Sequence, residues 1–71
     1  MNSYFKALIL ASGLSQAKVA DRIAMKAGEF CTERQIRAWI ADPASKNGRP
    51  CPQFAIDSMA EFEPRLQAMA A

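Results

Sequence analysis

The chain predicts an all-α fold, a compact bundle of four to five short helices. Three observations point there. Apolar residues recur at spacings of three and four, and no stretch alternates with period two. Glycines and prolines punctuate the periodic stretches, at Gly13, Gly28, Pro43, Gly48, Pro50, Pro52 and Pro64. The length of 71 residues allows one domain, and a chain this short buries only about 60% of its unfolded surface. Its own core is therefore marginal, and a second copy packed against it would help.

The helices are expected at about 2–12, 15–27, 32–41, 52–62 and 64–70. In the first, Ser3 or Asn2 can cap, Phe5, Leu8 and Ile9 form an apolar stripe, and Gly13 suits the left-handed residue that ends a helix. Ser15 caps the second, QAKVADRIAMKA, whose inner face is Val19, Ala20, Ile23 and Ala27. Lys18, Asp21, Arg22 and Lys26 take the other side. Lys26 stands in the last turn, where the macrodipole favours a cation, and Gly28 closes the helix.

Glu29, Phe30 and Cys31 connect to the strongest capping signal in the chain. Thr32-Glu33-Arg34-Gln35 is a capping box, and Cys31 and Ile36 flank the cap as a hydrophobic staple. Ile36, Trp39 and Ile40 form the apolar side of this third helix. Glu33, Arg34, Arg37 and Ala38 form the other, with Gln35 near the edge. Residues 41–52, ADPASKNGRPCP, read as a loop: Asp42-Pro43 stops the helix, and Asn47-Gly48 is a turn dipeptide. Pro52 suits the first position of a fourth helix with Ala55, Met59 and Phe62 on one face. Glu63-Pro64 breaks that pattern, and the short last helix carries Leu66 and Met69.

Charge and chemistry narrow the function classes. Residues 1–52 hold eight Lys/Arg against four Asp/Glu, a balance of +4, and residues 53–71 hold Arg65 against three acids, a balance of −2. A basic body with an acidic tail fits a polyanion-binding face, although a mixed solvated surface has the same balance. With no histidine, no Gly-rich phosphate loop and scattered carboxylates, catalysis is not expected. No metal or other cofactor is implied: Cys31 and Cys51 match no metal or redox spacing. They read as small buried apolar residues of a reducing compartment, the alternative being a disulfide and export. MNSYFKALILASG lacks a charged region followed by a leader-type apolar stretch, so the expected location is cytoplasmic, without a membrane.

A basic, well-capped third helix in such a bundle is the layout of a helix-turn-helix module. The stretch GLSQAKVA (13–20), followed by Thr32, Ile36 and Trp39, resembles the Cro/C1-type, lambda-repressor-like DNA-binding domain over roughly residues 5–62. In that family a GLSQ-type opening starts helix two, with an alanine four residues after the glutamine, and an aliphatic and often a tryptophan follow the cap. The family has about ten residues from glutamine to cap in the compact two-helix geometry. Gln16 to Thr32 is 16 here, which implies a lengthened turn and a longer second helix. GRPCPQFAIDSMAEF is similar to a segment of small phage repressors associated with anti-CRISPR operons.

The resemblance implies base-reading by Glu33, Arg34, Arg37 and Ala38. An arginine can take guanine O6 and N7 in parallel, and a carboxylate can accept from cytosine N4. Glu33 has an equal claim as a favourable charge at a helix N-terminus. Ser15, Gln16, Lys18, Thr32, Gln35, Lys46, Asn47 and Arg49 are the phosphate-contact candidates, or else residues of solvated turns. Trp39 is expected in the core rather than as a stacking platform. Met25, Met59 and Met69 read as gap-filling core or dimer surface, and Met59, Phe62, Leu66 and Met69 as the dimer interface. The function implied is a dimeric repressor of a phage or mobile-element operon on a palindromic double-stranded operator, with no small-molecule substrate. The alternative is a protein-binding adaptor or inhibitor that kept the fold without DNA, and a weaker one a DNA-binding part of a toxin–antitoxin or transposition system.

Overall fold

The computed structural model describes residues 1–70. Its order is α1 (Asn2–Ser12), α2 (Gln16–Ala27), α3 (Glu33–Ile40), α4 (Gln53–Met59), one 3₁₀ turn (Ala60–Phe62) and α5 (Glu63–Ala70). The described residues contain no strand, so the all-α bundle is as expected. No described helix is long and apolar enough to cross a membrane.

Local chemistry sets most of the boundaries. Gly13 (φ 71°) and Gly28 (φ 69°) end α1 and α2 in the left-handed conformation, which a Cβ would oppose. Ser15 Oγ accepts the Lys18 N–H at 3.2 Å and caps α2. At α3 both halves of the capping box form: Gln35 N–H donates to Thr32 Oγ1 (3.2 Å) and Thr32 N–H to Gln35 Oε1 (2.9 Å). Of the stretch from Gln16 to Thr32, α2 takes Gln16–Ala27 and leaves a connector of residues 28–32 before α3.

The amphipathic faces converge on one core. Phe5 and Leu8 of α1, Val19 and Ile23 of α2, Ile36 of α3 and Met59 of α4 are fully buried. Trp39 joins three helices, meeting Phe5 edge-on at 6.2 Å between centroids and Phe54 of α4 at 5.8 Å. Cys31 and Cys51 are buried as free thiols, and desolvation raises the Cys51 pKa to about 11. The α4–α5 segment is anchored by charge. Lys26 and Arg22 both bind the Glu61 carboxylate, hold its pKa below the ordinary value, and Arg22 stacks over the Phe62 ring at 5.0 Å.

Four expectations are corrected. Neither Asn2 nor Ser3 caps α1: Met1 holds the cap position without a side-chain bond, and Asn2, already the first helical residue, turns its amide inward to backbone groups of a distant loop. Pro52 is the N-cap of α4 rather than its first residue. The fourth helix stops at Met59 and tightens into the 3₁₀ turn, which runs directly into α5 with Glu63 as its first residue, so no loop intervenes at Pro64. Met59, expected in the dimer interface, is fully buried against its own chain and has no surface to give a dimer.

Candidate nucleic-acid interface

The same packing that buries Ile36 and Trp39 turns Arg34 and Arg37 to solvent, one or two steps off the apolar stripe, while Glu33 is exposed in the first turn of the helix. The 41–52 loop then folds back along this helix. Arg49 N–H donates to the Ala38 carbonyl at 3.0 Å, which brings the loop over the last turn of α3. Arg34, Gln35, Arg37 and Ala38 from the helix and Asn47 and Arg49 from the loop thus line one open concavity of about 610 Å³.

Three guanidiniums share this surface with one facing acid. Arg37 Nη1 pairs with Glu33 Oε2 at 3.2 Å, one helical turn apart, and the pair is exposed. Arg49 Nη1 donates to its own loop, to the Gly48 carbonyl at 2.7 Å and the Lys46 carbonyl at 3.3 Å. Arg34 makes no hydrogen bond or ion pair among the described residues, so its planar fork is available to a ligand. Such a set suits an anionic, planar-acceptor surface.

The loop is shaped, not slack. Asp42 Oδ1 accepts from Ala44 N–H (2.9 Å), the Asp42 carbonyl from Ser45 N–H (2.9 Å), and Ser45 Oγ from Gly48 N–H (3.1 Å). Gly48 is buried in this coil, and a Cβ there would lie 1.9 Å from the Asp42 carbonyl oxygen. Gly48→Ala is therefore expected to lower the thermal midpoint by at least about 4 °C, the shift from about 1 kcal/mol of overpacking in a domain this small. An unchanged melting curve would mean that the loop yields without cost.

Beneath the loop lies Asn2, only 4% exposed. Its Nδ2 donates to the carbonyls of Ala41 (2.8 Å) and Arg49 (2.7 Å), and its Oδ1 accepts the Cys51 N–H (2.8 Å). Sequence reasoning missed this residue as part of the site. An asparagine near a helix start signals a cap, and nothing local distinguishes a cap from a tertiary clamp.

The remaining candidates lie elsewhere or are already committed. Ser15, Gln16 and Lys18 stand at the start of α2, outside the concavity; Lys18 borders a second groove with Leu14 and Met25 on the outer face of that helix. The Thr32 hydroxyl and the Gln35 Oε1 are engaged in the capping box, which leaves the Gln35 amide N–H groups for a ligand. Lys46 is exposed on the loop. Of the dimer candidates other than Met59, Phe62 and Leu66 are half-buried on the chain's own core and Met69 is 61% exposed. Compared with protein-family models, curated proteins and solved structures, the chain gives no match.

Proposed function

We propose that this chain is a sequence-specific double-stranded DNA-binding regulator, a dimeric repressor of a phage or mobile-element operon that occupies a palindromic operator. The observation that carries this reading is the gathering of Arg34, Arg37 and Arg49 with Gln35 and Asn47 on one concavity, on a helix whose opposite side is core. The resemblance of GLSQAKVA, Thr32, Ile36 and Trp39 to Cro/C1-type domains supports it. In this reading α3 enters the major groove, Arg34 takes guanine O6 and N7, and Glu33 holds Arg37 in line for a second base while its own carboxylate accepts from cytosine. Lys46, Asn47 and Arg49 meet the phosphate backbone, which supplies affinity and register without sequence information. A bound dimer blocks polymerase by occupancy, with no chemistry.

Selection of bound duplexes from a random DNA pool, followed by titration of the winner against salt, tests this directly. A palindromic winner with half-sites about ten base pairs apart, or a multiple of that, is expected, with affinity falling steeply as salt rises. No enrichment, or binding indifferent to sequence, would overturn it.

The dimer is part of the proposal and has its own test. Met69, exposed near the end of α5, is the residue to change, because Leu66→Asp would also disturb the monomer's core. Met69→Asp is expected to shift the sedimentation-derived mass toward the monomer while the helical signal stays intact. A mass unchanged by Met69→Asp would remove α5 from the interface.

A second reading, a protein-binding adaptor, draws on Met25 and Phe30, which stand 84% and 86% exposed at the end of α2 and in the connector. Replacing Arg34 and Arg37 would leave that function intact.

A further inference from the structure

We propose that Asn2 is a positioning residue of this surface: it holds the loop so that Arg49 stands at a fixed offset from the arginines of α3. The proposal rests on the DNA-binding reading above.

The geometry around Arg49 carries it. Its backbone is held on both sides of its own Cα: its N–H donates to Ala38 of α3 (3.0 Å), and its carbonyl accepts from Asn2 of α1 (2.7 Å). The other two bonds of Asn2 close the loop at its ends, through the Ala41 carbonyl just after α3 and the Cys51 N–H just before α4. Between them, residues 42–47 are exposed, and Pro43 and Pro50 supply no backbone donor. The turn bonds within the loop shape it but do not tie it to the bundle; the Asn2 bonds and the Arg49–Ala38 bond do.

Only a primary amide on a short stem meets this demand. Two carbonyls face Nδ2 and one N–H faces Oδ1, so one side chain must donate twice and accept once. The substitution Asn2→Asp would set a carboxylate against two carbonyl oxygens. Serine can serve fewer of the three partners, and an apolar side chain leaves all three buried or half-buried groups unpaired. Loss of the amide therefore leaves the Arg49 backbone held by its Ala38 bond alone, so the Arg49 side chain loses its fixed offset from Arg34 and Arg37, and its phosphate contact is lost while the base contacts of α3 remain.

The experiment pairs amide hydrogen exchange with a double-mutant cycle on the selected duplex. In the wild type, the Arg49 and Cys51 amides should be protected. Asn2→Ala should speed exchange by about tenfold or more at Cys51, whose N–H loses its acceptor, and by a smaller factor at Arg49, whose own bond goes to Ala38. It should also weaken DNA binding about fivefold and flatten the salt slope by about one, the loss of one phosphate contact, while discrimination against a mismatched duplex is kept. In an Arg49→Ala background the same change should have almost no further effect on affinity, because a positioning residue acts through the residue it positions. If Asn2→Ala weakens binding equally in both backgrounds, or leaves the Cys51 amide protected, the proposal is wrong. Should Asn2→Ala not fold, Asn2→Ser replaces it, and rapid exchange of both amides in the wild type would by itself overturn the clamp. Failure of the DNA reading looks different: the wild type then binds no duplex selectively, while the exchange result still reports whether Asn2 holds the loop.

Discussion

Replacing Arg34 and Arg37 together with alanine is expected to abolish selective DNA binding while leaving the fold untouched. A bidentate arginine–guanine contact is worth about 1–3 kcal/mol of discrimination, so two of them give about 30-fold to 10⁴-fold between the operator and a scrambled duplex. Neither residue supports the core, as both are exposed and Arg34 has no partner among the described residues. The Glu33–Arg37 pair is exposed and one turn apart, the kind that contributes only about 0.3–0.5 kcal/mol. Fluorescence anisotropy on the two duplexes, beside a thermal melt of each variant, reads both halves of the expectation. Arg34→Lys sharpens it, since lysine keeps the charge and loses the planar fork. Discrimination that survives in the double variant would leave α3 without a base-reading role.

Trp39→Ala acts on the other side of the same helix, with the opposite signature. Trp39 is 8% exposed and packs edge-on against Phe5 and Phe54, so it ties α3 to α1 and α4. Truncating such a side chain costs about 3–5 kcal/mol. At about 0.05–0.15 kcal/mol per residue, a chain of 71 residues has about 4–10 kcal/mol in total. The variant is expected to be largely unfolded at 25 °C or to melt far below the wild type, as urea titration followed by circular dichroism would show. Trp39→Phe, which keeps an aromatic ring in the site, should recover most of the stability and with it the DNA binding. A Trp39→Ala protein that remains fully stable but loses DNA would instead make this ring part of the interface.

Several features of the fold are local and were readable residue by residue. Gly13 and Gly28 end helices because only a residue without Cβ adopts positive φ freely, and Ser15 and Thr32 begin them because their hydroxyls satisfy backbone donors three residues on. The spacing of Ile36 and Trp39 identified the buried side of α3, and so the outward direction of Arg34 and Arg37. Where the expectation erred, the deciding contact was remote. Asn2 has the chemistry of a cap, yet its partners lie 39 to 49 residues away. Met59 has the character of either core or interface, and only the packing of α4 against the other helices placed it inside.

Caps, breakers and periodicity thus determined where α2 and α3 start and stop and where α1 ends, which side of each is buried, and which basic residues remain outside. Bonds of a few residues' reach depend on nothing else. The tertiary structure alone decided that the loop after α3 returns onto it, that Arg49 stands beside Arg34 and Arg37, and that its backbone bonds both the Ala38 carbonyl of α3 and the Asn2 amide of α1. Those arrangements depend on hydrogen bonds across most of the chain's length, whose closure cost is met only once the core has brought the elements together.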